Sequence, residues 1–260
     1  MNILERLANS ARKRVEENKA KISLAEVKEK ALELKKGEFE FETALKKPAL
    51  SFICECKKAS PSKGIIAEDF PYVKIAKEYE RAGADAVSVL TEPTEFLGND
   101  DYLFEISQNV NIPCLRKDFI IDEYMIYEAK ILGAKAFLLI VSLLTREELS
   151  HYIKIGDTLG LSALVETRDE DEIKRATNAG ARIIGVNNRN LKDFSVDIDH
   201  SAKLREVVPS TVLFVAESGI KTAKDINAMR KIGVDAVLIG EALMLAEDKS
   251  AKLSELRGKI

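Results

Sequence analysis

A glycine that leads into an apolar run recurs four times along the chain, and this repeat constrains the fold more than any other feature. The glycines are Gly83, Gly133, Gly180 and Gly233, separated by 50, 47 and 53 residues. Each one ends a helical pattern and precedes a strand pattern, as a glycine at a helix C-terminus does. One step is roughly the length of two strand–helix units. The repeat therefore marks every second strand of an eight-stranded α/β fold.

Short apolar runs alternate with segments of helical periodicity along most of the sequence. The runs cover residues 50–54, 86–90, 112–115, 136–141, 162–165, 182–186, 212–216 and 236–239. Strands that alternate with helices form parallel βαβ units. A (β/α)₈ TIM barrel typically has about 250 residues, so the 260 residues fit one barrel with an addition. The alternative, an open doubly wound sheet, predicts a glycine-rich fingerprint after the first strand, and none follows it.

The addition is residues 1–47, an N-terminal helical extension packed on the barrel of residues 48–260. One helical stripe of apolar residues runs through Ile3, Leu4, Leu7, Ala11 and Val15. A second helix is predicted to begin with a capping box at residues 23–26 and to end near residue 37. The extension either covers the bottom of the barrel as a solvated helix pair or forms a lid over its top face.

Composition excludes several classes of function. The formal net charge is −3, which argues against a general nucleic-acid binder, and no apolar run is long enough to span a membrane. We therefore expect a cytoplasmic protein without a signal peptide. The cysteines, Cys54, Cys56 and Cys114, fit small buried side chains better than a disulfide or a zinc site. The histidines, His151 and His200, lie in surface patterns, so acid–base chemistry falls to Lys, Glu or Asp.

Charged and polar side chains follow the apolar runs at six of the eight predicted strands. These residues are Glu55, Lys57, Lys117, Glu166, Asn187, Arg189, Glu217 and Glu241. Strand alternation puts Glu55 and Lys57 on one face and the cysteines of the first strand on the other. Barrel active sites lie at the C-terminal ends of the strands, so these side chains are expected to converge there.

Three turns near the same strand ends fit a phosphate group. Ser60-Pro61-Ser62 follows the first strand, and Ser218-Gly219 and Gly240-Glu241 follow the last two. Glycines there let backbone N–H groups approach an anion, and a following helix adds its dipole. We predict that the ligand is a phosphorylated small molecule.

The motifs at these positions resemble the indole-3-glycerol phosphate synthase family, and they run in order through the whole barrel. The matching stretches are Glu55-Cys-Lys57-Lys-Ala-Ser60-Pro61-Ser62-Lys-Gly64, Ser88-Val-Leu-Thr-Glu-Pro93 with Phe96, Leu115-Arg-Lys117-Asp-Phe119, Leu138-Leu-Ile-Val, Leu164-Val-Glu166, Gly185-Val-Asn187-Asn-Arg189-Asn-Leu191, Ala216-Glu217-Ser218-Gly219-Ile220 and Ile239-Gly240-Glu241-Ala-Leu243. The extension also resembles that of the family, which favours the lid. Departures such as Cys56 and Met125 affect no position expected to do chemistry.

The resemblance implies a lyase of tryptophan biosynthesis. The family closes the ring of 1-(2-carboxyphenylamino)-1-deoxyribulose 5-phosphate, then releases carbon dioxide and water, without a cofactor or a metal. It implies that Lys117 is the acid for ring closure, and that Lys57 and Glu166 act in dehydration with Glu55 orienting Lys57 or sharing its role. Which lysine acts at which step stays open.

The remaining assignments concern substrate binding. Asn187 and Glu217 would hold substrate hydroxyls or orient catalytic groups, and Arg189 would meet the benzoate. Phe96 and Leu138 would form the slot for the aromatic ring. The phosphate would be held by the residues Ser60, Pro61, Ser62, Ser218, Gly219, Gly240 and Glu241. The chain is expected to be a monomer or a weak homo-oligomer.

There are two alternatives, and the second belongs to another class of protein. One is a different phosphate-binding barrel enzyme such as phosphoribosylanthranilate isomerase, which relies on Cys and Asp. Here the nearby cysteines face away, and Glu166 rather than Asp ends strand five. The other is a non-catalytic ligand-binding barrel, which predicts the loss of Lys57, Lys117 or Glu166, and all three are present.

Overall fold

A closed barrel of eight parallel strands forms the centre of the molecule. The computed structural model describes residues 3–190 and 194–258. The strands are β1 Ser51–Cys56, β2 Ala86–Leu90, β3 Cys114–Lys117, β4 Ala136–Ile140, β5 Ser162–Thr167, β6 Ile183–Asn187, β7 Leu213–Glu217 and β8 Ala236–Ile239. They pair in chain order, and β8 closes the barrel against β1. The predicted TIM barrel with an N-terminal extension is confirmed.

Several strands continue beyond the apolar runs that predict them. β1 reaches Cys56, β3 reaches Lys117 and β5 reaches Thr167. Polar residues belong to these strands because the barrel interior at this end is a polar cavity rather than a packed core. The predicted boundaries were therefore short by two residues at each of these C-terminal ends.

Helices surround the strands and bury their outer faces. They are α1 Ile3–Lys21, α2 Leu24–Glu33, α3 Glu40–Leu45, α4 Tyr72–Arg81, α5 Asp100–Asn109, α6 Glu123–Ile131, α7 Arg146–Leu159, α8 Glu170–Asn178, α9 Asp199–Arg205, α10 Ala223–Lys231, α11 Glu241–Met244 and α12 Lys249–Arg257. The four repeat glycines have φ of 88°, 84°, 93° and 70°. Only glycine adopts this backbone without steric cost, so they end their helices as the repeat predicts.

The extension wraps the barrel from top to bottom. Ile3, Leu4 and Leu7 of α1 line the cavity at the C-terminal ends of the strands, so α1 is the lid. The Ser23–Glu26 capping box of α2 is present, but α2 ends at Glu33 rather than near residue 37.

The third helix, α3, was not predicted and closes the opposite end. Its Glu42 N–H donates to Ser162 Oγ at 3.3 Å, and Ser51 Oγ donates to the carbonyl of Leu45 at 3.5 Å. Ser51 and Ser162 begin β1 and β5, so α3 covers the N-terminal ends of the strands. Phe41 of α3 is completely buried. The extension thus forms a lid above with α1 and a cover below with α3, and the predicted helix pair does not cover the bottom of the barrel.

The cysteines and histidines take no part in the cavity. Cys54, Cys56 and Cys114 are buried free thiols, and burial raises the pKa of each thiol. His151 is exposed, and the ring of His200 bonds the carbonyl of Arg168 at 2.7 Å. In the part of the chain that the structure describes, no helix is both long and apolar enough to cross a membrane.

Candidate active site

The barrel carries an open cavity of about 1100 Å³, including the part at its mouth, at the C-terminal ends of the strands. All of the predicted site residues line it. They are Glu55, Lys57, Ser60, Pro61, Ser62, Phe96, Lys117, Leu138, Glu166, Asn187, Arg189, Glu217, Ser218, Gly219, Gly240 and Glu241. Leu191, which ends one of the quoted motifs, lies outside the described residues.

Strand β1 delivers an ion pair to the cavity floor. Lys57 Nζ lies 2.8 Å from Glu55 Oε1, and Ser88 Oγ donates to the other oxygen of Glu55 at 3.3 Å. Burial alone would raise the pKa of Glu55, but the nearby ammonium groups of Lys57 and Lys117 lower it. Glu55 is therefore a carboxylate that holds Lys57 in one orientation.

A second lysine sits between carboxylates from two other strands. Lys117 Nζ lies 3.7 Å from Glu166 Oε2 and 3.8 Å from Glu217 Oε2. Burial would lower the pKa of Lys117, but the charges of Glu166, Glu217 and Glu55 outweigh burial and raise it. Asn187 Nδ2 donates to the free oxygen of Glu166 at 3.3 Å. Lys117 is thus a charged ammonium group held between carboxylates at the centre of the site.

Glu217 is the least satisfied polar group of the site. Its Oε1 is buried and accepts no hydrogen bond from any described residue. Burial, together with the charge of Glu166, raises the pKa of Glu217 to about 8. Gly185 on β6 makes room for this carboxyl, because a Cβ there would come within 2.2 Å of Glu217 Oε1. Gly185 begins one of the matching stretches but was not predicted as a site residue, although an isolated glycine in a strand signals a close approach.

One side of the cavity is lined by turns suited to an anion. Ser218 and Gly219 both have positive φ, 68° and 82°, which turns consecutive backbone amides in one direction, as in anion-binding nests. Gly240 precedes α11 on the neighbouring strand, and a Cβ there would lie 2.6 Å from Glu55 Oε1. This glycine is required because the β1 ion pair packs directly against it.

Cations gather around Glu241 at the same side. Lys221 lies 3.3 Å from its carboxylate, and Lys63 and Arg189 each lie 3.6 Å away. Arg189 also donates to Ser62 Oγ at 3.3 Å. Lys63 and Lys221 were missed because they stand in loops, where no periodicity assigns a side chain to a face.

Apolar side chains form the opposite wall and the roof. The rings of Phe96 and Phe119 lie 6.2 Å apart, and Leu138 and Leu4 also line the space. Phe119 and the roof residues were not predicted as site residues, although Phe119 is the last residue of the Lys117 motif. Across residues 3–190 and 194–258, no cluster of His, Cys, Asp or Glu is arranged to hold a metal ion.

Barrels that collect titratable side chains and an anion-binding rim at one end form a class of enzymes that carry out acid–base chemistry on phosphorylated substrates. A family model described as indole-3-glycerol phosphate synthase matches residues 4–256. The chain belongs to this family.

Similar proteins with this same description occur in several bacteria. The chain is 58% identical to one from Ruminiclostridium cellulolyticum, over 98% of this chain and 99% of that one. It is 51% identical to one from Endomicrobium trichonymphae over the same shares. Among solved structures, a 3-hexulose-6-phosphate synthase superposes with a TM-score of 0.67 over 81% of this chain and 100% of its own, at 15% identity. That likeness concerns the fold alone.

Proposed function

We propose that this protein converts 1-(2-carboxyphenylamino)-1-deoxyribulose 5-phosphate into indole-3-glycerol phosphate, with Lys117 as the acid for ring closure. The observation that carries the assignment is the position of Lys117 Nζ, 3.7 Å from Glu166 and 3.8 Å from Glu217. The family membership supplies the reaction, and this arrangement supports the roles of the residues.

Ring closure joins the aromatic carbon that bears the carboxylate to the ketone carbon of the sugar chain. The electron pair of the ketone moves to its oxygen, and Lys117 gives that oxygen a proton. A fixed ammonium stabilises this charge without reorganising solvent. Loss of carbon dioxide returns the electron pair of the broken C–C bond to the ring and restores its aromaticity.

Dehydration then removes the new hydroxyl as water. A base takes a proton from the adjacent carbon, a double bond forms, and an acid protonates the leaving oxygen. Glu166 is the proposed base, because Asn187 holds one of its oxygens and leaves the other facing Lys117. Lys57, oriented by Glu55 at 2.8 Å, is the proposed acid.

The two sides of the cavity fit the two ends of the substrate. Phe96 and Leu138 would take the aromatic ring. Ser60 and the backbone amides near Gly219 and Gly240 would hold the phosphate. Arg189 lies beside Ser62 and Glu241, so we now assign it to the phosphate end rather than to the benzoate.

We further propose that the extension and barrel act as one structural domain, in a monomer or weak homo-oligomer in the cytoplasm. The ion pairs of α1 with the β3–α6 segment support the first point.

The proposed function is tested by mixing the purified protein with the carboxyphenylamino substrate and following indole fluorescence without added cofactor. We expect turnover. If folded protein gives no signal, calorimetry with the same substrate separates a non-catalytic binding barrel from a barrel of different specificity. Formation of this substrate from phosphoribosylanthranilate would instead support the isomerase.

A further inference from the structure

The residues on either side of Lys117 are buried charges. Successive side chains of a strand face opposite ways, so Lys117 faces inward while Arg116 faces the outer layer. Asp118 follows the end of β3 and lies beside the cavity, where α1 reaches it. Both flanking residues are essentially inaccessible to solvent. Buried charges of this kind are costly unless every one is paired. Their partners therefore fix the backbone that carries Lys117.

Arg116 is held by the barrel itself. Its guanidinium lies 2.9 Å from Asp100 and 2.8 Å from Glu128, and it donates to the carbonyl of Met125 at 2.9 Å. These partners belong to α5 and α6, which pack on either side of β3. The extension contacts this half through a partner of Arg116, because Asn18 of α1 donates to Glu128 at 3.0 Å.

Asp118 is held jointly by the barrel and by α1. Thr91 Oγ1 and the Phe119 N–H donate to its carboxylate at 2.7 and 2.8 Å. Arg14 of α1 donates two further bonds, at 2.7 and 3.0 Å, one to each oxygen. A bidentate pair fixes direction as well as distance. Arg14 is the group through which the lid helix reaches the segment that carries Lys117.

Thr91 joins the two halves through the backbone. Its N–H donates to the carbonyl of Lys117 at 3.1 Å, and its hydroxyl accepts from Arg116 Nε at 3.3 Å while donating to Asp118. A shift of Asp118 therefore changes the bonds on both sides of Lys117. The distance from Lys117 Nζ to its carboxylate partners depends on this segment.

We propose that Arg14 is a positioning residue for Lys117, which holds the acid in register with its carboxylates by clamping Asp118 from the lid helix. The inference rests on the proposed function of Lys117. In this proposal α1 helps to place the acid, in addition to covering the cavity with Leu4 and Leu7. Docking of the lid and placement of the acid are thereby coupled.

The same helix offers a matched control. Lys19 of α1 forms an ion pair with Asp122 at 2.7 Å, which also ties the lid to the barrel but touches neither neighbour of Lys117. Lys19→Ala weakens lid docking without disturbing the clamp. If Arg14 serves only to dock the helix, the two variants should behave alike and raise KM, because a loosened roof weakens binding.

The test compares Arg14→Lys, Arg14→Ala and Lys19→Ala in steady-state turnover of the carboxyphenylamino substrate. An acid displaced by about 1 Å loses on the order of 10²-fold in rate. We expect Arg14→Ala to lower kcat by about that factor with a smaller change in KM, and Arg14→Lys, which cannot form the bidentate pair, to fall between. Guanidinium ion at millimolar concentration should partly restore Arg14→Ala, because the Arg14 side chain is 21% exposed. Lys19→Ala should keep its kcat.

A second measurement does not depend on turnover. Lys117 can be labelled by ¹³C reductive methylation and observed by NMR at one fixed pH, with Lys117→Ala identifying its signal. Displacement from Glu166, Glu217 and Glu55 changes the charges around the labelled amine, so Arg14→Ala should move the Lys117 signal, whereas Lys19→Ala should leave it in place. A wild-type kcat in folded Arg14→Lys and Arg14→Ala, or an unmoved Lys117 signal in Arg14→Ala, overturns the inference. An inactive wild-type chain overturns the proposed function instead.

Discussion

At the scale of single residues, the proposed mechanism requires a lysine that stays charged inside a largely buried cavity. Burial opposes that charge, and Glu166, Glu217 and Glu55 reverse the effect and raise the pKa of Lys117. The pKa values of two of these carboxyl groups shift in opposite directions. The pKa of Glu55 is lowered while that of Glu217 rises to about 8, because two lysines cannot satisfy three buried acids. One site thus holds groups suited to opposite proton transfers.

Replacing Lys117 by alanine should abolish most of the activity while the barrel still folds. A positioned acid contributes about 10²–10⁴-fold, and kcat should fall by that range without loss of secondary structure by circular dichroism. Lys135→Ala is the matched control, because this lysine pairs with Glu40 at 2.8 Å at the opposite end of the barrel. Turnover of Lys117→Ala at the wild-type rate would falsify the assignment of the acid.

Gly185 provides a separate test of the geometry around Glu217. A methyl group at this position would meet Glu217 Oε1 at 2.2 Å and should push the carboxyl away from Lys117, lowering kcat by roughly 10-fold. Gly180→Ala is the control, because nothing lies within 4 Å of the new Cβ, although φ at this position is +93°. It should cost about 1 kcal/mol of stability and leave kcat intact. Equal rate losses in both variants would show that the effect at Gly185 is not specific to the site.

The side chains of the site were predictable where a strand carries them. Alternation decides which face Glu55, Lys57 and Lys117 occupy, and the barrel decides at which end they meet. Residues supplied by loops, such as Lys63 and Lys221, follow no such rule. Their positions depend on turns whose shape is set by tertiary contacts, so the sequence pattern did not select them.

At the scale of elements, the extension contacts both ends of the barrel, with α1 at the upper end and α3 at the lower end. The apolar stripe of α1 was readable because a long amphipathic helix repeats its pattern several times. α3 has only six residues, too few for a period, and it begins after Phe39 in a left-handed conformation with φ of 56°. Its existence depends on Phe41 and Leu45 being buried under the barrel, a contact that no local pattern predicts.

Phe41→Ala should therefore destabilise the protein without affecting its catalysis. The side chain is fully buried in α3, and loss of a buried phenylalanine typically costs about 3–5 kcal/mol. Phe104→Ala is the matched control, since that ring is 47% exposed and should cost less than about 1 kcal/mol. Urea unfolding measures the loss, and kcat of the folded fraction should be unchanged. A large fall in kcat of folded Phe41→Ala would contradict the division between the ends of the barrel.

At the scale of the whole molecule, the two ends of the barrel differ in where their charges lie. The lower end is closed by apolar residues, by serine hydrogen bonds to α3 and by ion pairs at its edge such as Glu42–Arg182 at 2.8 Å, whereas the upper end concentrates charge inside the barrel. The sequence predicted the barrel because a repeated strand–helix pattern of this length leaves few alternatives. It left the position of the extension open, because an amphipathic helix shows which of its faces is buried but not which surface it contacts.

The concentration of charge at the upper end should make stability depend on pH. In the folded protein, burial and the charge of Glu166 raise the pKa of Glu217 to about 8. The charge of Glu55 adds to this rise, and the charge of Lys117 opposes it. In an unfolded chain a glutamate titrates near 4.3. Between these values the folded state binds the proton more tightly, so the free energy of unfolding contributed by this group falls as the pH rises from about 4.3 to about 8.

Glu217→Gln removes that titration and should be more stable than the wild-type chain at pH 8, with the difference shrinking towards pH 5. The substitution removes a slope of at most about 1.4 kcal/mol per pH unit from the free energy of unfolding, because a single proton is bound. Urea unfolding at several pH values measures it, and kcat should fall in the same variant. Glu241→Gln is the control of opposite sign, since Lys221, Lys63 and Arg189 lower the pKa of Glu241 against the effect of burial. That substitution should give no gain in stability at pH 8. If Glu241→Gln gains as much stability at pH 8 as Glu217→Gln, relief of general charge repulsion accounts for the effect, and the buried carboxyl beside Lys117 does not.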